Sequence, residues 1–403
     1  MAQPSLPIND LQVRLSGRFR KQQAFAAGYS PLYSRLFGLL ADWLAVEQSR
    51  DSRDPLVDWL LQAAATRSSF DVPLLLLAGL HRDVLTGVAE VAALAPYYPT
   101  VGGTRSADDR SLGLVLRQAI LARQDSLAEF LRTATVQTNE AARGLCWLLP
   151  VLYPGWPAIH LIDLGASAGL NLVADHRNYR LVEGDEGRVL LDLGSGAPGQ
   201  FIVANLGEFL LPFLPPTLPT ILSRIGCDLS PFELATTHDE QTLAAFVWGD
   251  QPGRLAQLHL GIAALHRVHS SQVPVHLHPA NLPDELTRFL EQQISPCGNA
   301  PIVIFNTYLT TYLHDKGASL RPQLASWASK QAQPVLWLQW ETLWQGPQPP
   351  EFGWVGWTAD LWQEGRHLHW RLAWAHPHGT LIQWLPESVA WADFWQARPG
   401  SSS

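Results

Sequence analysis

The spacing of apolar positions changes near residue 157. Before it, Phe19, Phe25, Leu32, Leu36, Leu39, Leu40 and Trp43 recur at helical intervals, and further helical patterns cover about 54–66, 71–94 and 110–133. Pro31 and Pro55 stand where helices begin. Tyr97-Tyr-Pro-Thr-Val-Gly-Gly103 reads as a loop by its proline and glycine content. No stretch here alternates as a strand, so residues 1–150 are expected to form a helical N-terminal or cap domain. Val136-Gln-Thr-Asn-Glu140 precedes an apolar helix ending near Pro150, and either caps it through Thr138 or Asn139 or faces a ligand.

After Pro154-Gly-Trp-Pro157 the pattern is short apolar runs separated by helical stretches. Ile159–Leu164, Ile221–Asp228, Val273–Asn281, Pro301–Asn306 and Pro334–Glu341 read as strands, and Leu170–Tyr179 as a helix. Pro231 suits a first helical turn with Ser230 as its cap. His367–Ala375 and Thr380–Leu385 flank Pro377-His-Gly379 as a hairpin. This alternation predicts an α/β sheet domain over 151–403. The glycine- and proline-rich stretch at about 184–219 reads as an insertion with no predictable fold.

Composition narrows the field. A chain of 403 residues, 47% hydrophobic and 16% charged, is long enough to bury a large core in two or three domains. A formal charge of -8 argues against a nucleic-acid surface. The three cysteines, Cys146, Cys227 and Cys297, lie far apart, as in a reducing compartment. The start lacks a basic and then apolar leader pattern. The longest apolar run, Val72–Leu80, falls short of the ~20 residues that span a bilayer. A cytoplasmic protein acting on a small molecule, without membrane or nucleic-acid partners, is expected. Of 17 tryptophans, 12 lie between 327 and 395, a density that suits a sheet face packed on helices better than a set of binding platforms.

The chemistry centres on His160-Leu-Ile-Asp-Leu-Gly-Ala-Ser-Ala-Gly-Leu-Asn171. A buried strand ends in Asp163, and Gly165 to Gly169 then leave almost no side-chain bulk, so a ligand can approach the backbone. An acid followed by Gly-x-x-x-Gly resembles the first motif of class I S-adenosylmethionine-dependent methyltransferases, with Ser167 in place of the middle glycine. That departure weakens a nicotinamide reading more, since the missing glycine would serve a pyrophosphate. Cys227-Asp-Leu-Ser-Pro231 resembles the family's second strand, whose acid binds ribose hydroxyls. The resemblance implies a sheet ending in an antiparallel hairpin and S-adenosylmethionine as cofactor. It implies a binding set of Asp163, Gly165, Ala166, Ser167, Gly169, Asn171, Asp228, Leu229 and Asn281. Asn281, with Asp250 as the alternative, would meet the adenine, and Asn306, Tyr308 and Tyr312 would face the acceptor.

Further pieces are Gly28-Tyr-Ser-Pro-Leu-Tyr33, His81-Arg82, Tyr97-Tyr-Pro with Gly102-Gly103, Gln137-Thr-Asn-Glu140, Trp248 with Asp250-Gln251, and His376-Pro-His-Gly379. Together with the motifs above they resemble a bacterial family of unknown function, numbered two-three-three-two among such domains, over about 19–385. That resemblance implies a methyltransferase-like fold and no particular substrate.

Catalytic candidates are Glu140, Asp250, Asn306, Tyr308, His376 and His378, with Glu341 a further candidate base, because a base is needed where the acceptor must lose a proton. Gly165-Ala-Ser-Ala-Gly169 also spells the nucleophile elbow of serine hydrolases, with His376 or His378 available as its histidine. The absence of strand patterns before 159 argues against it. The histidine pairs His276/His278, His367/His369 and His376/His378 could each ligate a metal from one strand face, but no cysteine or carboxylate cluster completes a site, and no metal is expected. A non-catalytic nucleotide-binding regulator on the same fold is the second class of reading.

Overall fold

The computed structural model describes residues 8–45, 54–137, 140–184, 187–195, 201–206, 217–294, 298–344, 346–351 and 353–397. Thr138 and Asn139, Cys297 and residues 207–216 lie outside them. The chain divides into two compact units, residues 1–138 with 234–256, and residues 139–233 with 257–403. The sequence pattern had set the division at 150 and given 234–256 to the sheet domain.

The first unit is helical. Its helices include Ile8–Ala26, Pro31–Ala45, Pro55–Ala64, Val72–Leu85, Leu112–Ala122, Gln124–Thr133 and Thr237–Ala245. Pro31 and Pro55 both start helices, as read. The pattern expected from Pro231 instead starts at Thr237, where Thr236 and Asp239 form a capping box. A tight knot organises this unit. Trp248 lies between the rings of Tyr29 and Tyr33, at 5.0 and 4.8 Å and nearly parallel to both. Asp250 accepts hydrogen bonds from Ser30 Oγ at 2.6 Å and the Leu32 amide at 3.1 Å, while Ser30 Oγ accepts the Tyr33 amide. The first turn of Pro31–Ala45 is thus capped by a residue 220 positions away. Gln251 Nε2 donates to the Tyr29 carbonyl. His81 is fully buried, with Nε2 2.8 Å from Thr100 Oγ1 and Nδ1 3.2 Å from the Ala245 carbonyl. Burial lowers its pKa to about 4.

The second unit is built on a sheet that has eleven strands among the described residues. They are β1 (Ala158–Leu164), β2 (Tyr179–Glu183), β3 (Arg188–Leu193), β4 (Phe201–Leu206), β5 (Thr220–Asp228), β6 (Val275–Pro279), β7 (Ile302–Thr307), β8 (Val335–Glu341), β9 (Val355–Gln363), β10 (Arg366–Ala375) and β11 (Leu381–Trp384). Their order is β3-β2-β4-β11-β10-β9-β8-β7-β1-β5-β6. The five strands β6-β5-β1-β7-β8 are parallel, and β9, β10 and β11 follow as an antiparallel meander. β8 is buried at every position, as a parallel strand covered on both faces should be. Leu286, Leu290, Leu320, Leu324 and Trp327 pack on one face against Ile162, Ile304 and Trp337. The tryptophan-rich segment is core: Trp340, Trp357 and Trp384 lie in successive ring contacts at 5.4 and 5.5 Å.

Two expectations are corrected. Leu170–His176 is a short 3-10 segment and the chain then enters β2 at Tyr179, so the helix read over 170–179 is not formed. The stretch read as an insertion contributes β3 and β4, which extend the sheet at its edge. Among the described residues no strand precedes Ala158, and no helix is long and apolar enough to cross a membrane.

Candidate functional site

Within the parallel strands the chain builds outward from β1 to β5 and β6, then returns to add β7 and β8 on the other side of β1. Strand order therefore reverses at β1. Open α/β sheets bind ligands outside the carboxyl ends of their strands at such a point. β10 runs in the same direction as β8, because β9 is antiparallel to both. The turn after β10 thus emerges at the same sheet edge as the loops after β1, β5 and β7.

β1 ends in Asp163, which is 3% exposed and pairs in register with Gly226 and Phe305. Burial, then the charge of Asp228, pushes its pKa well above the ordinary carboxylate range. The loop that follows is left-handed at Gly165, Ser167 and Gly169 (φ 84°, 48° and 73°). Glycine adopts such dihedrals without penalty, whereas Ser167 is held there against its preference. The amides of Gly165 and Ala166 both donate to the Cys227 carbonyl, at 2.8 and 2.9 Å. A side chain at Gly226 would meet Ala166 Cβ at 2.6 Å, so the loop can rest on β5 only over a glycine. Asp228, ending β5, accepts the Ser167 amide on one oxygen and the Ser230 amide on the other, both at 3.0 Å. The resemblance gives this acid to ribose hydroxyls. The acid clasps the glycine loop.

Asn171 follows the loop. Its carbonyl accepts Trp147 Nε1 at 2.8 Å, and its buried Oδ1 has no hydrogen-bond partner among the described residues. Leu229 is exposed beside Asp228. Asn281, beyond β6, is exposed; its amide is taken by Glu285 and its side chain donates to Asp284 at 3.3 Å.

On the other side of β1, Asn306 at the end of β7 is fully buried. It donates to Glu341 at 2.7 Å and accepts Trp337 Nε1 at 2.6 Å. Glu341, ending β8, also accepts the amides of Leu309 and Thr310 and the Thr310 hydroxyl. Burial raises its pKa against the pull of these donors. Tyr308 is the second non-glycine residue here with a left-handed backbone (φ 61°), and its hydroxyl donates to the Gly353 carbonyl at 2.8 Å. Leu309 reaches back over the β1 loop, where a side chain at Gly165 would meet it at 3.1 Å.

A third group comes from the turn after β10. His378 Nδ1 lies 2.7 Å from Glu140 Oε2, with the carboxylate almost fully buried. His376 Nδ1 accepts the His378 amide at 3.3 Å and lies 3.0 Å from Thr380 Oγ1. Arg143 joins the groups: its Nε donates to the Pro377 carbonyl at 2.8 Å, and its guanidinium lies over the Tyr308 ring at 4.3 Å. Glu140, Tyr308, His376 and His378 are therefore linked by contact, and Asn306 by Glu341 and the Leu309 amide.

Asp250 is not among them; it belongs to the helical unit, where it caps a helix. The chain belongs to the bacterial family described as uncharacterized protein conserved in bacteria (DUF2332), whose model matches residues 16–384. No curated protein and no solved structure matches the chain. The residues that carry the resemblance thus divide between the two units: Tyr29, Tyr33, Trp248 and Asp250 form the knot of the first, which also buries His81, while Glu140, the 165–171 loop, Asp228 and His378 lie at the sheet edge of the second.

Sequence reasoning passed over Arg143. Its signal was available: it is the only charge between Ala141 and Leu149. No group of three or more histidine, cysteine or acidic side chains is arranged to hold a metal among the described residues.

Proposed function

We propose that the protein binds S-adenosylmethionine and directs methyl transfer to a small-molecule acceptor. One observation carries this reading. At the point where strand order reverses, an acid-ended strand leads into a left-handed small-residue loop, and the acid ending the next strand clasps that loop.

The residues present fit such a cofactor. Asn171 offers a buried oxygen without a partner among the described residues. Each oxygen of Asp228 accepts one amide and keeps a lone pair for a hydroxyl. Leu229 adds exposed apolar surface beside it, and Asn281 an amide at the end of the neighbouring strand. When bound, the cofactor supplies a methyl carbon made electrophilic by a sulfonium. The chain's own work is to hold and align the reactants and to exclude water. Glu140 fixes the imidazole of His378 through Nδ1, which makes Nε2 the atom that takes a proton from a protic acceptor.

The serine-hydrolase reading is less well supported: among the described residues no strand precedes β1, whereas a nucleophile elbow follows a strand of a sheet already begun. Calorimetric titration of the full chain with S-adenosylmethionine and S-adenosylhomocysteine, with NAD as control, tests the proposal. Micromolar binding of the first two is expected, weakened in Asp228→Asn. Failure of both to bind removes the methyl-donor reading. Binding without transfer to any acceptor favours the regulator.

A further inference from the structure

We infer that Arg143 anchors a carboxylate-binding site at the sheet edge. Arg143 is 4% exposed, in the short 3-10 turn Ala141–Gly144. Its Nε is held by the Pro377 carbonyl and its face by the Tyr308 ring, so the plane of the guanidinium is fixed. The two terminal nitrogens have no acceptor among the described residues. Glu140 and Glu341 are engaged with other groups, Glu140 with His378 and Glu341 with Asn306, Leu309 and Thr310. Arg224 gives the contrast within the same molecule: it is 3% exposed and meets Asp175 at 2.6 Å.

A buried cation is costly unless an anion and hydrogen bonds compensate it. Among the described residues no side chain supplies that anion to Arg143. The two parallel N–H donors left at its tip match the two oxygens of one carboxylate. A monoanion fits better than a dianionic phosphate, because Glu140 and Glu341 already bring negative charge to the same groups. His376 and His378 flank the carbonyl that holds Nε, so a bound carboxylate lies beside the imidazoles.

The site itself rests on Arg143, not on the methyl-transfer reading. That reading enters only in naming the ligand, since the carboxylate could belong either to the acceptor or to the methionyl end of the donor. Titrations of the wild-type chain, Arg143→Gln and Arg143→Lys with S-adenosylhomocysteine, benzoate and acetate, against phosphate and chloride, separate these sources. The glutamine variant is expected to lose about tenfold or more in affinity for at least one carboxylate ligand, with lysine between. A loss confined to benzoate or acetate assigns the site to the acceptor. A loss with S-adenosylhomocysteine assigns it to the donor. Benzoate binding that depends on Arg143, in a protein that ignores S-adenosylhomocysteine, keeps this site and removes the methyl-donor reading. In the wild-type protein, 15N resonances of the Arg143 side chain should move with benzoate and stay with chloride. Unmoved resonances, or equal affinities in wild type and Arg143→Gln, overturn the inference.

Discussion

Asp250 in the helical unit and Asp163 in the sheet unit are both acids that the sequence singles out, and the protein treats them in opposite ways. Asp250 sits among donors: a hydroxyl and a helix amide take its oxygens, and the neighbouring Trp248 is stacked between two tyrosines. Asp163 is pressed into the end of a central strand, beside another acid, and its charged form is disfavoured. Similar contrasts run through both regions. The helical unit uses Asp250 as a helix cap and stacks Trp248, whereas the sheet edge keeps, among the described residues, a guanidinium with two unbonded terminal nitrogens, an amide oxygen without a partner and two left-handed non-glycine residues. Residues singled out together need not share a purpose. The first set specifies a fold, and the second holds polarity ready for something else.

Three measurements would break or sharpen this comparison. The largest effect is expected from Trp248→Ala, which empties the space between Tyr29 and Tyr33 and should cost about 3–5 kcal/mol in urea unfolding. A loss below about 1 kcal/mol would mean the stack is not what holds this region. Next comes His81. Its folded pKa of about 4 lies below the unfolded value of 6.5, so its contribution is complete above pH 6.5 and is lost as pH falls toward 4, by about 3 kcal/mol in all. His81→Gln should flatten that limb of the pH–stability curve. Asp163 works in the reverse direction. Its pKa is raised in the fold, so the unfolded chain ionises first and stability falls as pH rises from about 4 toward the raised value. Asp163→Asn should remove this slope of up to about 1.4 kcal/mol per pH unit. An unchanged slope would show that the carboxylate is compensated after all.

Much of the sheet was legible because parallel strands buried on both faces leave continuous apolar runs. β1, β5, β6, β7 and β8 all stand where such runs lie, and the β10–β11 hairpin follows its Pro377-His-Gly379 turn. β3 and β4 were missed because glycine and proline punctuate the stretch that contains them, β2 was absorbed into a helical pattern, and β9 was not read as a strand. β3, at the sheet edge, buries only Leu193 fully and so writes a weak pattern. At the site, Glu140, His376, His378 and Tyr308 were legible as polar groups in loops, and the structure links them. The ties that link them were not legible, because Arg143 acts through a carbonyl and a ring, and neither leaves a trace in residue spacing. The capping role of Asp250 was illegible for a related reason: a cap supplied from 220 residues away has no local signature.

The return of residues 234–256 to the helical unit bears on how the polypeptide emerges from a ribosome. The first hundred and fifty residues reach the solvent without the tryptophan that fills their stack or the aspartate that caps their second helix. Those arrive only after β1 to β5 have been made. The amino-terminal unit is therefore completed late in translation, although nearly all of its sequence comes early. An excised segment 1–150 is a different object from the unit it belongs to, with an unfilled aromatic slot and an uncapped helix. Anyone wishing to separate the two units should cut and rejoin the chain around 234–256, since the division does not follow the order of synthesis.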